Sequence, residues 1–154
     1  MAENDPPGQI SCCDSSARSA ACVFSKALLA RSAVCECAEH RSAGERELID
    51  RSSPVARINC GTLAALLHER ARFALRLPSP GQPVMHAQAL RLQCGGLVGL
   101  QQAMAITQPD VHRMVGAARE RYGSLTELPW DAIVQALKQW QPRQPRRQPA
   151  PPEP

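Results

Sequence analysis

The stretch Gln93-Cys94-Gly95-Gly96-Leu97-Val98-Gly99-Leu100 lies inside a segment with helical hydrophobic spacing, and its reading decides the fold. Met85, Ala89, Leu92, Gly96, Leu100 and Ala103 mark one face of that segment, which predicts a helix from about Val84 to Ile106. A glycine within a helix costs up to about 1 kcal/mol relative to alanine, so three of them require compensation from tertiary packing. Gly95-x-x-x-Gly99 is a spacing that lets a second backbone approach closely. Arg91, Gln93 and the glycines make the stretch too short and too polar to span a bilayer, so a tightly crossed core helix is expected. The lesser alternative is a ligand resting on the glycine face. A dinucleotide fingerprint is excluded, because no strand precedes the glycines and their spacing differs.

The flanking segments extend the helical pattern. Pro78-Ser79-Pro80-Gly81-Gln82-Pro83 breaks the chain ahead of the central helix. Before it, Ser52-Ser53-Pro54 offers a hydroxyl cap and then a proline where the missing N–H costs nothing. That start predicts a helix from Pro54 to about Leu77 with the stripe Ile58, Leu63, Leu66, Leu67, Phe73 and Leu77. A first helix is expected over Ser16 to Ala33, a connection over Cys35 to Ser42, and a short charged helix over residues 44–50. After the central helix, Thr107 caps a segment with Pro109 and Asp110 in its first turn, which ends at Tyr122 before Gly123. Ser124 or Thr126 caps a last helix, whose apolar face is Trp130, Ile133, Val134 and Leu137.

Composition supports the same class. Only 3% of the 154 residues are aromatic although 44% are hydrophobic, so Ala and Leu, both strong helix formers, must fill the core. The expected fold is all-α, a compact bundle of four to five helices over residues 17–140. A disordered lead over residues 1–16 and a disordered Pro/Arg-rich tail over residues 141–154 flank it.

The formal net charge of +4 is modest, and Arg143, Arg146 and Arg147 place part of it in the tail. A nucleic-acid footprint needs a denser basic face with stacking aromatics, and two Trp, one Tyr and two Phe do not supply it. Met1-Ala-Glu-Asn-Asp-Pro-Pro has neither the basic nor the apolar region of a signal peptide, so a cytoplasmic location is expected, with no membrane partner.

In a reducing compartment the seven cysteines stay free, which favours metal, iron–sulfur or redox chemistry over structural bridges. Cys35, Cys37 and His40 form a C-x-C-x-x-H run that a loop could turn toward Cys60, with Cys94 or His40 as the fourth donor. Cys35, Cys37, Cys60 and Cys94 would suit an iron–sulfur cluster, and three thiolates with His40 would suit zinc. Glu36, Glu39 or Asp50 would offer an oxygen ligand, and Glu36 and Arg41 would tune the site from outside. Cys22 is too far along the first helix to join, and Cys12-Cys13 would join only if the lead folds back. The competing reading makes Cys22, Cys60 and Cys94 small buried hydrophobes and leaves Cys35 and Cys37 as partly exposed loop thiols.

No serine elbow, phosphate loop or H-E-x-x-H run is present, so the expectation is against an enzyme. The function expected is that of a small cytosolic helical protein that binds a metal or iron–sulfur centre, or assists a metalloprotein or redox protein. The alternatives are a cofactor-free helical adaptor, binding a protein partner through the central helix or the arginine–proline tail, and a thiol redox sensor.

Overall fold

A computed structural model describes residues 21–144. The expected lead lies outside that range, as do Cys12, Cys13 and the tail beyond residue 144. The described elements are helix α1 (Ser25–Leu29), strands β1 (Ala38–Ala43) and β2 (Arg46–Arg51), helices α2 (Pro54–Leu75), α3 (His86–Met104) and α4 (Val111–Tyr122), a 3-10 turn (Leu125–Glu127) and helix α5 (Trp130–Gln139).

Local chemistry accounts for most of the boundaries. The Ser53 side chain accepts a hydrogen bond from the Ala56 N–H, and Pro54 opens α2. Asp110 caps α4 by accepting from the Arg113 N–H, and Gly123 follows its end at φ 75. Ser124 caps the 3-10 turn, and α5 starts after Leu128-Pro129.

The glycine stretch forms the centre of the bundle. At Gly99 an added Cβ would stand 2.8 Å from the Ile133 carbonyl oxygen, and at Gly95 it would stand 3.1 Å from the Leu137 Cα and 3.0 Å from the Trp140 Cβ. α5 therefore lies backbone-on-backbone against α3. Gly96, on the next face, admits Leu67 of α2, whose Cδ2 would be 2.7 Å from an added Cβ. Leu63, Leu67, Leu97, Leu100, Met114, Ile133 and Leu137 fill the shared core. The close crossing expected of Gly95-x-x-x-Gly99 is present, with α5 as the partner.

The fold is mostly α rather than all-α. β1 and β2 form an antiparallel hairpin in which Ala38 pairs with Arg51 and Ala43 with Arg46, leaving Gly44-Glu45 as a two-residue turn. Gly44, at φ 63, takes the first turn position, where a glycine suits the tight hairpin geometry. The short helix expected over residues 44–50 is thus a strand, and most of the connection expected over Cys35 to Ser42 is its partner. The hairpin lies on the bundle surface, with Ile49 and Arg51 turned inward at the two-residue period of a strand. The first helix is shorter than expected, because Ala21 pairs with Asp50 at the edge of β2 and the Cys22 N–H donates to the Ile49 carbonyl. Ile58, Phe73 and Met85, expected on buried stripes, are exposed.

Two glycine substitutions test the seam. Gly99→Ala should destabilise the protein by about 3 kcal/mol, because the methyl group meets backbone that cannot move without shifting α5. Gly61→Ala, in open space within α2, should stabilise it by about 0.5–1 kcal/mol. Urea unfolding followed by tryptophan fluorescence measures both. Equal effects would mean that the seam does not govern the packing of α5.

Candidate functional sites: a guanidinium among thiols and a cationic groove

Arg51 ends β2, points inward and is 4% exposed. Its Nε donates to the Cys22 Sγ at 3.2 Å, and one terminal nitrogen donates to the Cys60 Sγ at 2.7 Å and to the Ala56 carbonyl at 3.1 Å. The other terminal nitrogen is buried and has no hydrogen-bond partner among the described residues. None of the ion pairs among those residues includes Arg51, and its neighbour Asp50 pairs instead with Arg41 at 3.0 Å.

Cys35 and Cys37 lie half-buried on the turn before β1. The Ala38 N–H donates to the Cys35 carbonyl and the Ser52 N–H to the Cys37 carbonyl, which ties the turn to both strands. The Glu36 N–H donates to the second carboxylate oxygen of Asp110 at 2.9 Å, which fixes the turn to the start of α4. Charge on Cys35 and Cys22 is felt at Cys60, and charge on Cys35 and Arg51 at Cys37, so these four thiols share one region around the guanidinium.

The expected metal site does not assemble in this arrangement. His40 stands on the exposed hairpin and meets Glu47 at 2.7 Å. Cys94 is buried on α3, where Ser32 hydrogen-bonds its thiol. Glu36 is engaged with Arg113 and His112, and Arg41 with Asp50. Among the described residues no three His, Cys, Asp or Glu side chains are placed to hold a metal ion together. Cys22, set aside on sequence grounds as too distant, is brought to Cys60 because the chain enters beside β2 rather than along a helix. Arg51 was missed; its two-residue spacing from Ile49 signals a buried position only once that segment is read as a strand.

Burial is the main influence on the thiols. It pushes the Cys60 thiol up to about 11, although Arg51 acts in the opposite direction. Burial also raises Cys37, with the charges of Cys35 and Glu36 adding to the effect, and it raises Cys94. These three are therefore weak nucleophiles near neutral pH.

A second feature lies where α5 ends. Trp140, half-buried after α5, forms a wall shared by two open cavities of about 550 and 480 Å³. The larger lies between the end of α2 and the start of α3, and the smaller between the end of α1 and the middle of α3. Leu90 and Pro142 line both. Arg76, His86 and Arg91 line the first and Arg31 and Arg143 the second, and the described lining contains no carboxylate. Arg91 donates to the carbonyls of Leu137 and Lys138, and so clamps the end of α5 that carries Trp140.

The buried thiol has a consequence for stability at high pH. Unfolded Cys60 ionises near a pKa of about 8.5, while in the fold it holds its proton to about 11. Between those values the unfolded state binds fewer protons than the native state, so stability falls as pH rises. The contribution is intact below the lower value. Cys60→Ala should flatten the fall in urea-derived stability between those limits, and an unchanged slope would remove Cys60 as its source.

No family model, curated protein or solved structure matches this chain.

Proposed function

We propose that this chain is a cofactor-free helical adaptor that binds a protein partner in the groove around Trp140. The observation that carries this reading is the pair of open cavities sharing the indole, with an apolar floor and a cationic rim. Tryptophan, methionine and arginine are the side chains enriched where proteins meet one another. Phe73, 88% exposed, and Met85, 72% exposed, directly precede the lining residues Ala74 and His86 in the chain. The groove joins the start of α3 to the start of the arginine–proline tail, the two surfaces that the sequence offered for an adaptor.

A metal or iron–sulfur centre on Cys35, Cys37, His40, Cys60 and Cys94 draws no support from this geometry. A permanently charged guanidinium stands among the sulfurs and would repel a cation. A thiol response to oxidants has one observation in its favour: Cys22 and Cys60 meet on adjacent nitrogens of one side chain. Hydrogen peroxide would take one hydrogen from each thiol, giving a disulfide and two waters. Mass spectrometry of peroxide-treated protein tests this through a Cys22–Cys60 linked peptide, which should vanish in Cys60→Ser.

The adaptor reading is tested by site-specific photocrosslinking in cells. A photoreactive side chain at Ala87, exposed on the groove, should give a discrete protein adduct about tenfold above that from Gly116, which lines neither cavity. Equal yields at the two positions would overturn it.

A further inference from the structure

Resting on the adaptor reading and deepening it, we infer that the groove around Trp140 binds an extended acidic peptide, with an apolar side chain in each cavity and carboxylates on the arginine rim. The charge on the rim is uncommitted. Arg31, Arg76 and Arg143 are exposed, and none takes part in the ion pairs or side-chain hydrogen bonds found among the described residues. Arg91, by contrast, is occupied by α5 carbonyls and belongs to the scaffold.

Two of these arginines hold unusual backbone positions. Arg31 and Arg76 sit at φ 54 and φ 52, just past the ends of α1 and α2, where glycine is the ordinary occupant. Each such residue carries a backbone penalty that glycine would not. An arginine kept there at that cost sets a cation on the edge of a cavity, and the two stand on different cavities.

The shape selects among anionic ligands. Leu90, Trp140 and Pro142 line both cavities, so an occupant that fills the two needs two apolar anchors with negative charge alongside. An extended peptide delivers that pattern, because successive side chains alternate in direction. A single acyl chain with one carboxylate fills one lobe and meets one rim. Nucleic-acid strands rely on several stacking aromatics, and Trp140 is the one Phe, Tyr or Trp in the described lining. Like charge disfavours the protein's own arginine-bearing tail as occupant.

The test uses the full chain and a fluorescent synthetic peptide of Glu and Asp with Leu at two positions, followed by anisotropy. Binding should weaken about tenfold or more in Arg76→Glu/Arg143→Glu, and comparably when salt rises from about 0.05 M to about 0.5 M. The same peptide with Lys for each acid should not bind. Circular dichroism and an unchanged unfolding midpoint establish that the variant is folded, and Arg31→Glu supplies an independent change if it is not. Unaltered affinity in both folded variants overturns the inference, as does tighter binding of single-stranded DNA or of phosphatidylserine vesicles. Binding that appears only in Glu3→Gln/Asp5→Asn also overturns it, since the chain's own lead would then fill the groove. A partner crosslinked at Ala87 whose binding ignores both charge reversals leaves the adaptor reading standing and removes this one.

Discussion

The approach of α5 to α3 depends on hydrogens standing where side chains would otherwise be. Gly95 and Gly99 lie one helical turn apart, and a Cβ at either position would press on the backbone of Leu137 or Ile133. Removing both lets α5 settle closer than any larger residue would allow. Burial of Trp130, Ile133 and Leu137 along the inner side of α5 offsets the conformational cost of glycine in a helix. The seam also sets the geometry of the two cavities. Trp140 follows α5, its Cβ lies against Gly95, and Arg91 holds the carbonyls at the same helix end. The position of Trp140, which lines both cavities, is therefore fixed by the packing at the centre of the fold.

Arg51 imposes a constraint of a different kind. A guanidinium keeps its charge in the interior, so it must find acceptors or leave the native state costly by several kcal/mol. Here two thiol sulfurs and one carbonyl serve, and all three acceptors come from different turns of chain: Cys22 before α1, and Ala56 and Cys60 on successive turns of α2. The arrangement draws the chain entry, the hairpin and the start of α2 together. Its position near the N-terminal end of α2 is electrostatically unfavourable for a cation, which makes the sulfur contacts more significant. Cysteine at Cys22 and Cys60 then has a structural reason that neither metal ligation nor simple apolar filling supplies.

Much of the helical architecture was legible because its signals are local. Ser53-Pro54, the proline-rich break before residue 84 and Gly123 each act through their own backbone preferences, and each falls at or near an element boundary. The hairpin was hidden because Ala38–Ala43 and Arg46–Arg51 are rich in Ala, Glu, Arg and Leu, residues that favour helix when nothing else intervenes. Burial of Ile49 and Arg51 against the bundle overrides that preference, and this tertiary fact has no local signature beyond Gly44. Phe73 and Ile58 misled for the opposite reason: their spacing fits a buried stripe, yet α2 turns Leu63, Leu67 and Ala71 inward and leaves those two outside. The thiols could be counted from the sequence, but their gathering depends on the strand that the sequence concealed.

Residues with left-handed backbone connect the fold to its surface chemistry. Three non-glycine residues among those described adopt it, Arg31, Arg76 and Ala105, and each follows a helix. In each case the next residue closes the turn onto a carbonyl: the Ser32 N–H reaches Ala27, the Leu77 N–H reaches Arg72 and the Ile106 N–H reaches Gln101. Leu77 is buried, so the bend at Arg76 is held by core packing rather than by the arginine itself. The geometry of these ends would be served better by glycine. What arginine adds is a cation beside the negative end of a helix dipole, which recovers part of the backbone cost, typically about 0.3–1 kcal/mol at an exposed site. Ala105 shows that the same bend forms without a charge, so charge is not needed to make the turn. At Arg31 and Arg76 that charge stands at the edges of the two cavities that share Trp140, where Ala105 has no counterpart.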